Sequence, residues 1–78
     1  MTNEFRLRSA MLRSKIKVTE LCVKCGFSTG YFYKCVNGEQ DFRSSEIIKI
    51  CEVLNIGADE MNLIFFAPIV DETSRKEV

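Results

Sequence analysis

The sequence predicts an all-α protein of five short helices, and three observations support this prediction. Chain-breaking residues, mostly glycine and asparagine, recur at short intervals, and the segments between them have the length of helices. Apolar residues in most segments are spaced three and four apart, which gives a helix one buried face. Asparagine and serine, which are favoured at helix N-caps, stand where several helices would begin. The predicted helices are 4–15, 18–25, 28–36, 45–54 and 58–64.

Local signals place the first two helices. Helix 4–15 can be capped by Thr2 or Asn3. Helix 18–25 is predicted to end at Gly26, because glycine readily adopts the left-handed conformation that closes a helix. The residues predicted to face the core are Leu7, Ala10, Met11 and Ser14 in the first helix and Leu21, Cys22 and Cys25 in the second.

The third segment, 28–36, has two interpretations. The aromatic run at 31–33 favours a strand, and Gly30 weakens a helix by about 1 kcal/mol. Ser28, however, is well placed as an N-cap, and Asn37-Gly38 provides a stop, so a helix is predicted. Its inward residues would be Phe32 and Cys35.

Helix 45–54 has the clearest amphipathic pattern in the chain, and Ser44 is predicted to be its N-cap. A last short helix follows at 58–64. The domain is predicted to span 1–67, and the charged tail 68–78 is predicted to be disordered. The inward residues of the fourth helix would be Ile47, Ile50, Cys51 and Leu54.

Length and composition exclude several classes of protein. A chain of 78 residues has room for one domain, and a hydrophobic fraction of 46% excludes a disordered chain. No apolar run is long enough to span a membrane, and the N-terminus lacks the apolar segment of a signal peptide, so a cytoplasmic protein is predicted. The absence of histidine removes histidine-based catalysis. The sequence also has no Gly-rich phosphate loop, and we predict no enzymatic activity, no cofactor and no small-molecule substrate.

Charge is unevenly distributed along a chain whose net charge is zero. Residues 1–34 carry seven Lys or Arg and two Asp or Glu, whereas residues 35–78 carry four and nine. The first half is therefore basic, which is compatible with a surface that faces phosphates.

Two short helices joined by a turn that contains glycine are typical of a helix-turn-helix unit, here predicted at 18–36. The sequence resembles the lambda-repressor-like, Cro-type helix-turn-helix family, and in particular small bacteriophage Cro-like regulators. The resemblance covers about residues 5–66, and its motifs are L-C-V-K-C-G-F-S-T-G-Y-F-Y-K-C-V-N-G at 21–38 and S-S-E-I-I-K-I-C-E-V-L-N-I-G-A-D-E-M at 44–61. It implies a compact five-helix domain that regulates transcription by binding a double-stranded operator, as a homodimer.

The resemblance also implies two kinds of DNA contact. Helix 28–36 would enter the major groove, where hydroxyl groups can bond to base edges and Gly30, without a side chain, reads nothing. Other residues would contact phosphates, which set affinity but not sequence preference. The implied base-reading positions are Ser28, Thr29, Gly30 and Tyr33, and the implied phosphate contacts are Lys17, Lys24, Tyr31, Lys34 and Arg43.

Three departures from the family pattern favour an alternative. Lys17-Val18 stands where the family often has Thr-Gln, and Glu39 and Asp41 make the loop after the third helix acidic. The recognition helix offers no Arg, Gln or Asn for a bidentate base contact. The alternative is an antirepressor that binds the DNA-binding domain of a phage repressor instead of DNA.

A short apolar C-terminal extension contains more apolar residues than a five-helix core needs. Some of them could cap the core, but aromatic residues are also favoured as interface anchors, and family members often pair through this end. The residues predicted to form a dimer or partner interface are Leu63, Ile64, Phe65 and Phe66.

The four cysteines allow a zinc interpretation, because Cys22-x-x-Cys25 has ligand spacing and Cys35 and Cys51 would complete the set. All four lie on inward faces of predicted helices, and no second C-x-x-C is present. Buried free cysteine behaves as a small hydrophobic residue. We therefore predict four structural thiols and no metal.

Overall fold

The structure is a computed structural model that describes residues 2–66. Within that range the chain is all-helical and contains five helices, which confirms the predicted fold class. Residue 67 of the predicted domain and the predicted tail 68–78 lie outside the described residues. The helices are α1 (Glu4–Arg13), α2 (Val18–Cys25), α3 (Thr29–Val36), α4 (Ser44–Leu54) and α5 (Ala58–Phe65).

Helix α1 begins as predicted and ends earlier than predicted. The Asn3 side chain accepts a hydrogen bond from the backbone N–H of Arg6 at 3.1 Å, so Asn3 rather than Thr2 is the N-cap. Lys15 has a φ of +59°, in the left-handed region, and this turns the chain toward α2. Ser14, predicted to face inward, donates its hydroxyl to the carbonyl of Leu54 at 3.1 Å.

The prediction that Ser44 caps the fourth helix is wrong. Ser44 is the first residue of α4, and Arg43 takes the N-cap position. The physical reason is Glu46, whose Oε1 accepts the backbone N–H of Arg43 at 2.8 Å and so satisfies a donor at the start of the helix. The helix therefore begins one residue earlier than the serine pattern indicated.

The core lies between all five helices, and α2 is packed against both α3 and α4. Helix α1 packs on α5, where the Asn3 N–H donates to the carbonyl of Ile64 at 2.7 Å. Arg13 adds a bidentate ion pair with Glu60, at 2.8 Å to each carboxylate oxygen. The buried apolar residues are Leu7, Ala10, Met11, Leu21, Cys22, Cys25, Phe32, Cys35, Val36, Phe42, Ile47, Ile50, Cys51, Leu54, Ile64 and Phe65.

Phe42, in the loop between α3 and α4, holds the aromatic part of this core together. Its ring lies with its centroid 5.8–6.1 Å from those of four other aromatic residues. Such distances are those of favourable aromatic pairs. The four neighbours are Phe27, Tyr31, Phe32 and Phe65. One loop residue thus connects the α2–α3 turn, α3 and α5.

Candidate nucleic-acid interface

The turn between α2 and α3 has the geometry that the sequence predicted. Gly26 ends α2 with a φ of +85°, and its N–H donates to the carbonyl of Cys22 at 2.8 Å. An L-residue there would be strained by this φ, although its Cβ would meet no atom within 4 Å. Ser28 then caps α3, because its hydroxyl oxygen accepts the N–H of Tyr31 at 3.0 Å. The C-cap at Gly26 and the N-cap at Ser28 thus fix the end of α2 and the start of α3.

Helix α3 presents one buried and one exposed face. Phe32, Cys35 and Val36 point into the core. The predicted base-reading residues and Lys34 all lie on the exposed side. The Ser28 hydroxyl uses its oxygen for the cap and keeps its own proton to donate. The exposed predicted residues are Ser28, Thr29, Gly30, Tyr33 and Lys34.

The predicted phosphate contacts fall into two groups in the structure. Four are exposed cations: Lys17 directly before α2, Lys24 within α2, Lys34 on α3 and Arg43 directly before α4. Tyr31 differs, because it is half-buried and its hydroxyl donates to Glu46 Oε1 at 2.7 Å. This bond raises the pKa of Tyr31. As the structure stands, the hydroxyl proton of Tyr31 is not available to a phosphate.

Arg8 of α1 is a residue near the recognition face that the sequence reasoning missed. Its Cζ lies 5.9 Å from the centroid of the Tyr33 ring, and its Nε donates to Glu4 Oε2 at 3.0 Å. The hydrogen bond to Glu4, followed by the interaction with Tyr33, raises the pKa of Arg8. The i, i+4 spacing of Glu4 and Arg8 predicts their ion pair, but no sequence signal predicts that α1 brings Arg8 to α3.

A family model described as a helix-turn-helix domain matches residues 5–64. The chain belongs to the helix-turn-helix domain family. This confirms the Cro-type helix-turn-helix resemblance, and the match covers all five helices apart from one residue at each end of the set. Comparison with curated proteins and with solved structures gave no match.

Membership of the helix-turn-helix family points to a DNA-binding regulator, since the second helix of such a unit reads the major groove. The family is typically non-enzymatic. No helix within residues 2–66 combines the length and the apolar character needed to cross a bilayer.

Burial divides the four residues that were predicted to form an interface of this helix-turn-helix domain. Ile64 and Phe65 are 0% and 5% exposed and belong to the core, so they offer no surface to a partner in this fold. The reason is that α5 turns these positions toward α1 and the Phe42 cluster. Leu63 is half-buried and Phe66 is 58% exposed, and the interface prediction is kept for these two.

The four cysteines of the domain are free and buried. Among residues 2–66, no group of three or more His, Cys, Asp or Glu side chains is arranged to hold a metal ion. Burial raises the pKa of all four thiols, and for Cys25 it raises the pKa to about 11. The thiols are therefore kept protonated, which opposes thiolate chemistry.

Alkaline pH is expected to destabilise the domain through these thiols. A raised folded-state pKa gives stability that is complete below the unfolded pKa of about 8.5 and is lost as pH rises through the folded value. The free energy of unfolding, measured with urea under reducing conditions, should therefore fall between about pH 8 and the Cys25 pKa of about 11. Cys25→Ala should reduce that fall, and a stability independent of pH in this window would contradict the burial argument.

Proposed function

We propose that this chain is a Cro-like transcription regulator of phage or prophage type, which binds a double-stranded DNA operator in the cytoplasm through α3. The observation that carries the proposal is the exposed side of α3 and its N-cap, which carries Ser28, Thr29, Tyr33 and Lys34. An exposed helix N-terminus with hydroxyl groups suits base edges, and Gly30 leaves room for close approach to the groove.

Affinity in this proposal comes mainly from phosphate contacts. The four exposed cations stand before α2, within α2, on α3 and before α4, around the helix pair, where they would contact phosphates. Base readout is modest, because α3 and its N-cap offer two short hydroxyl side chains and no Arg, Gln or Asn for a bidentate base contact. The four cations are Lys17, Lys24, Lys34 and Arg43.

We further propose that the regulator acts as a homodimer, with Leu63 and Phe66 at the contact between protomers. An exposed aromatic residue beside a half-buried leucine, at the end of the last helix, is suited to anchor such a contact. A two-fold dimer would place two copies of α3 on two half-sites of a palindromic operator.

The experiment is fluorescence anisotropy of the protein with duplex DNA from the region upstream of its own gene, at about 50 mM and about 200 mM salt. Four phosphate contacts predict a loss of affinity of about 10²-fold over this range, and eight contacts in a dimer predict about 10⁴-fold. A scrambled duplex is the control for sequence preference. Absence of binding at the lower salt concentration would overturn the proposal.

An antirepressor is the second candidate, and the acidic loop between α3 and α4 supports it. Glu39 and Asp41 are exposed there, next to Arg43, where negative charge would oppose a phosphate. Such a protein would bind the basic DNA-contacting face of a repressor. The discriminating result is a protein that fails to bind DNA alone and releases a repressor from its operator.

A further inference from the structure

Arg8 belongs to α1, but its side chain lies beside Tyr33 on the exposed side of the recognition helix α3. Its guanidinium carbon lies 5.9 Å from the centroid of the Tyr33 ring, a distance typical of a cation–π contact. Tyr33 itself is 43% exposed and packs edge-on against Phe32, with ring centroids 5.4 Å apart. The aromatic ring is therefore fixed by the core on one side and positions the Arg8 guanidinium on the other.

The second contact of Arg8 is weak and easily exchanged. Its Nε donates to Glu4 Oε2 at 3.0 Å, and the side chains of both residues are 45% exposed. Exposed ion pairs of this kind contribute little to stability, because solvent screens them. A guanidinium has five N–H donors in a planar fork, and this fork fits a phosphate in two-point contact.

A second ion pair on the same helix provides a contrast. Arg13 binds Glu60 through one nitrogen to both carboxylate oxygens at 2.8 Å, and this pair connects α1 to α5. It therefore holds two helices together, whereas the Glu4–Arg8 pair lies within one turn of α1 and connects no other element. Arg13 thus links α1 to α5 through its carboxylate partner, whereas Arg8 links α1 to α3 through the Tyr33 ring, and exchange of its Glu4 partner leaves that link in place.

We propose that Arg8 contacts a DNA phosphate, and that in the free protein Glu4 holds the Arg8 side chain in position for this contact. This inference rests on the proposed DNA binding. On the duplex, the guanidinium exchanges the Glu4 carboxylate for a backbone phosphate while it remains on the Tyr33 ring. Arg8 thus supplies, from α1, the guanidinium that α3 lacks. Glu4 competes with DNA for the same donor, so it lowers the affinity for any duplex.

The test measures salt-dependent binding to a short random-sequence duplex, since a phosphate contact does not depend on sequence. Arg8→Gln should weaken binding and lower the slope of log K against log salt by about 0.9 per protomer. Arg8→Lys should keep that slope, because the charge remains, but should bind less tightly because the planar fork is lost. Thermal unfolding followed by circular dichroism verifies that each variant is folded.

Glu4→Gln tests the competition between Glu4 and DNA for Arg8, and Glu52→Gln is its matched control. Both remove one exposed carboxylate, but Glu52 lies on α4 in a groove with Ile56 and Met61 that Arg8 does not line. Glu4→Gln should tighten binding about twofold per protomer, and Glu52→Gln should tighten it less. In the Arg8→Gln background, Glu4→Gln should have no effect beyond that of the control.

Each remaining outcome overturns the inference. Equal tightening by Glu4→Gln and Glu52→Gln would assign the effect to net charge alone. An unchanged salt slope in Arg8→Gln, with wild-type binding intact, would remove Arg8 from the DNA contacts and leave the proposed function standing. Failure of the wild-type protein to bind any duplex at low salt would overturn the proposed function and this inference together.

Discussion

Replacing Phe42 by alanine is expected to lower the free energy of unfolding by about 3–5 kcal/mol. The side chain is 6% exposed, and four other aromatic rings surround it. Its removal leaves a cavity that the helices cannot fill, because Phe42 joins the α2–α3 turn to α3 and α5. The total stability of a small domain is only about 5–15 kcal/mol, so the loss is a large fraction of it.

Urea unfolding followed by circular dichroism measures this effect, and Phe5→Ala is the matched control. The control removes the same side chain from a site that is 80% exposed, so little burial is lost. We expect a shift of less than about 0.5 kcal/mol for Phe5→Ala. Similar losses in the two variants would mean that the aromatic cluster does not stabilise the fold as described.

Lys34→Ala and Thr29→Ala are expected to weaken DNA binding in different ways. Lys34 is an exposed cation on α3, and its removal should weaken binding to all duplexes and lower the salt slope by about 0.9 per protomer. Thr29 occupies the first position of α3, where its hydroxyl can bond to a base edge. Its replacement should cost about 1 kcal/mol on the operator and little on other sequences.

Anisotropy titrations of each variant with operator and scrambled duplexes separate the two effects. Lys49→Ala is the charge-matched control for Lys34→Ala, because Lys49 is an exposed lysine on α4. A Lys49→Ala variant that loses as much affinity as Lys34→Ala would reduce the role of Lys34 to net charge. A Thr29→Ala variant that weakens operator and scrambled duplexes equally would remove Thr29 from base readout.

The helix pair could be predicted from the sequence because its determinants are local. Gly26 and Ser28 each act on neighbouring backbone groups, and both do what the sequence predicts. The apolar spacing likewise assigned the inward faces of α2, α3 and α4 correctly. A pattern within one helix was sufficient in each of these cases.

Contacts between residues far apart along the chain could not be predicted from the sequence. Phe42 lies in a loop, outside any periodic pattern, and only the fold brings it among four aromatic rings. The family pattern predicts a phosphate contact for Tyr31, but the fold brings its hydroxyl to Glu46, fifteen residues away along the chain. Ile64 and Phe65 are buried although the sequence predicts them at an interface, since no local signal distinguishes a core residue from an exposed one at the end of a helix.

Because α1 contacts α5, the helices could keep the same arrangement in space if they were connected in a different order along the chain. The Asn3 N–H meets the carbonyl of Ile64 at 2.7 Å, so the two ends of the helical domain are neighbours in space. A short linker could join them, and new termini could be opened at the exposed turn around Gly38. Such a circular permutant would run α4–α5–α1–α2–α3, so α2 and α3 would stay joined and the recognition helix would become the last helix, no longer covalently followed by α4.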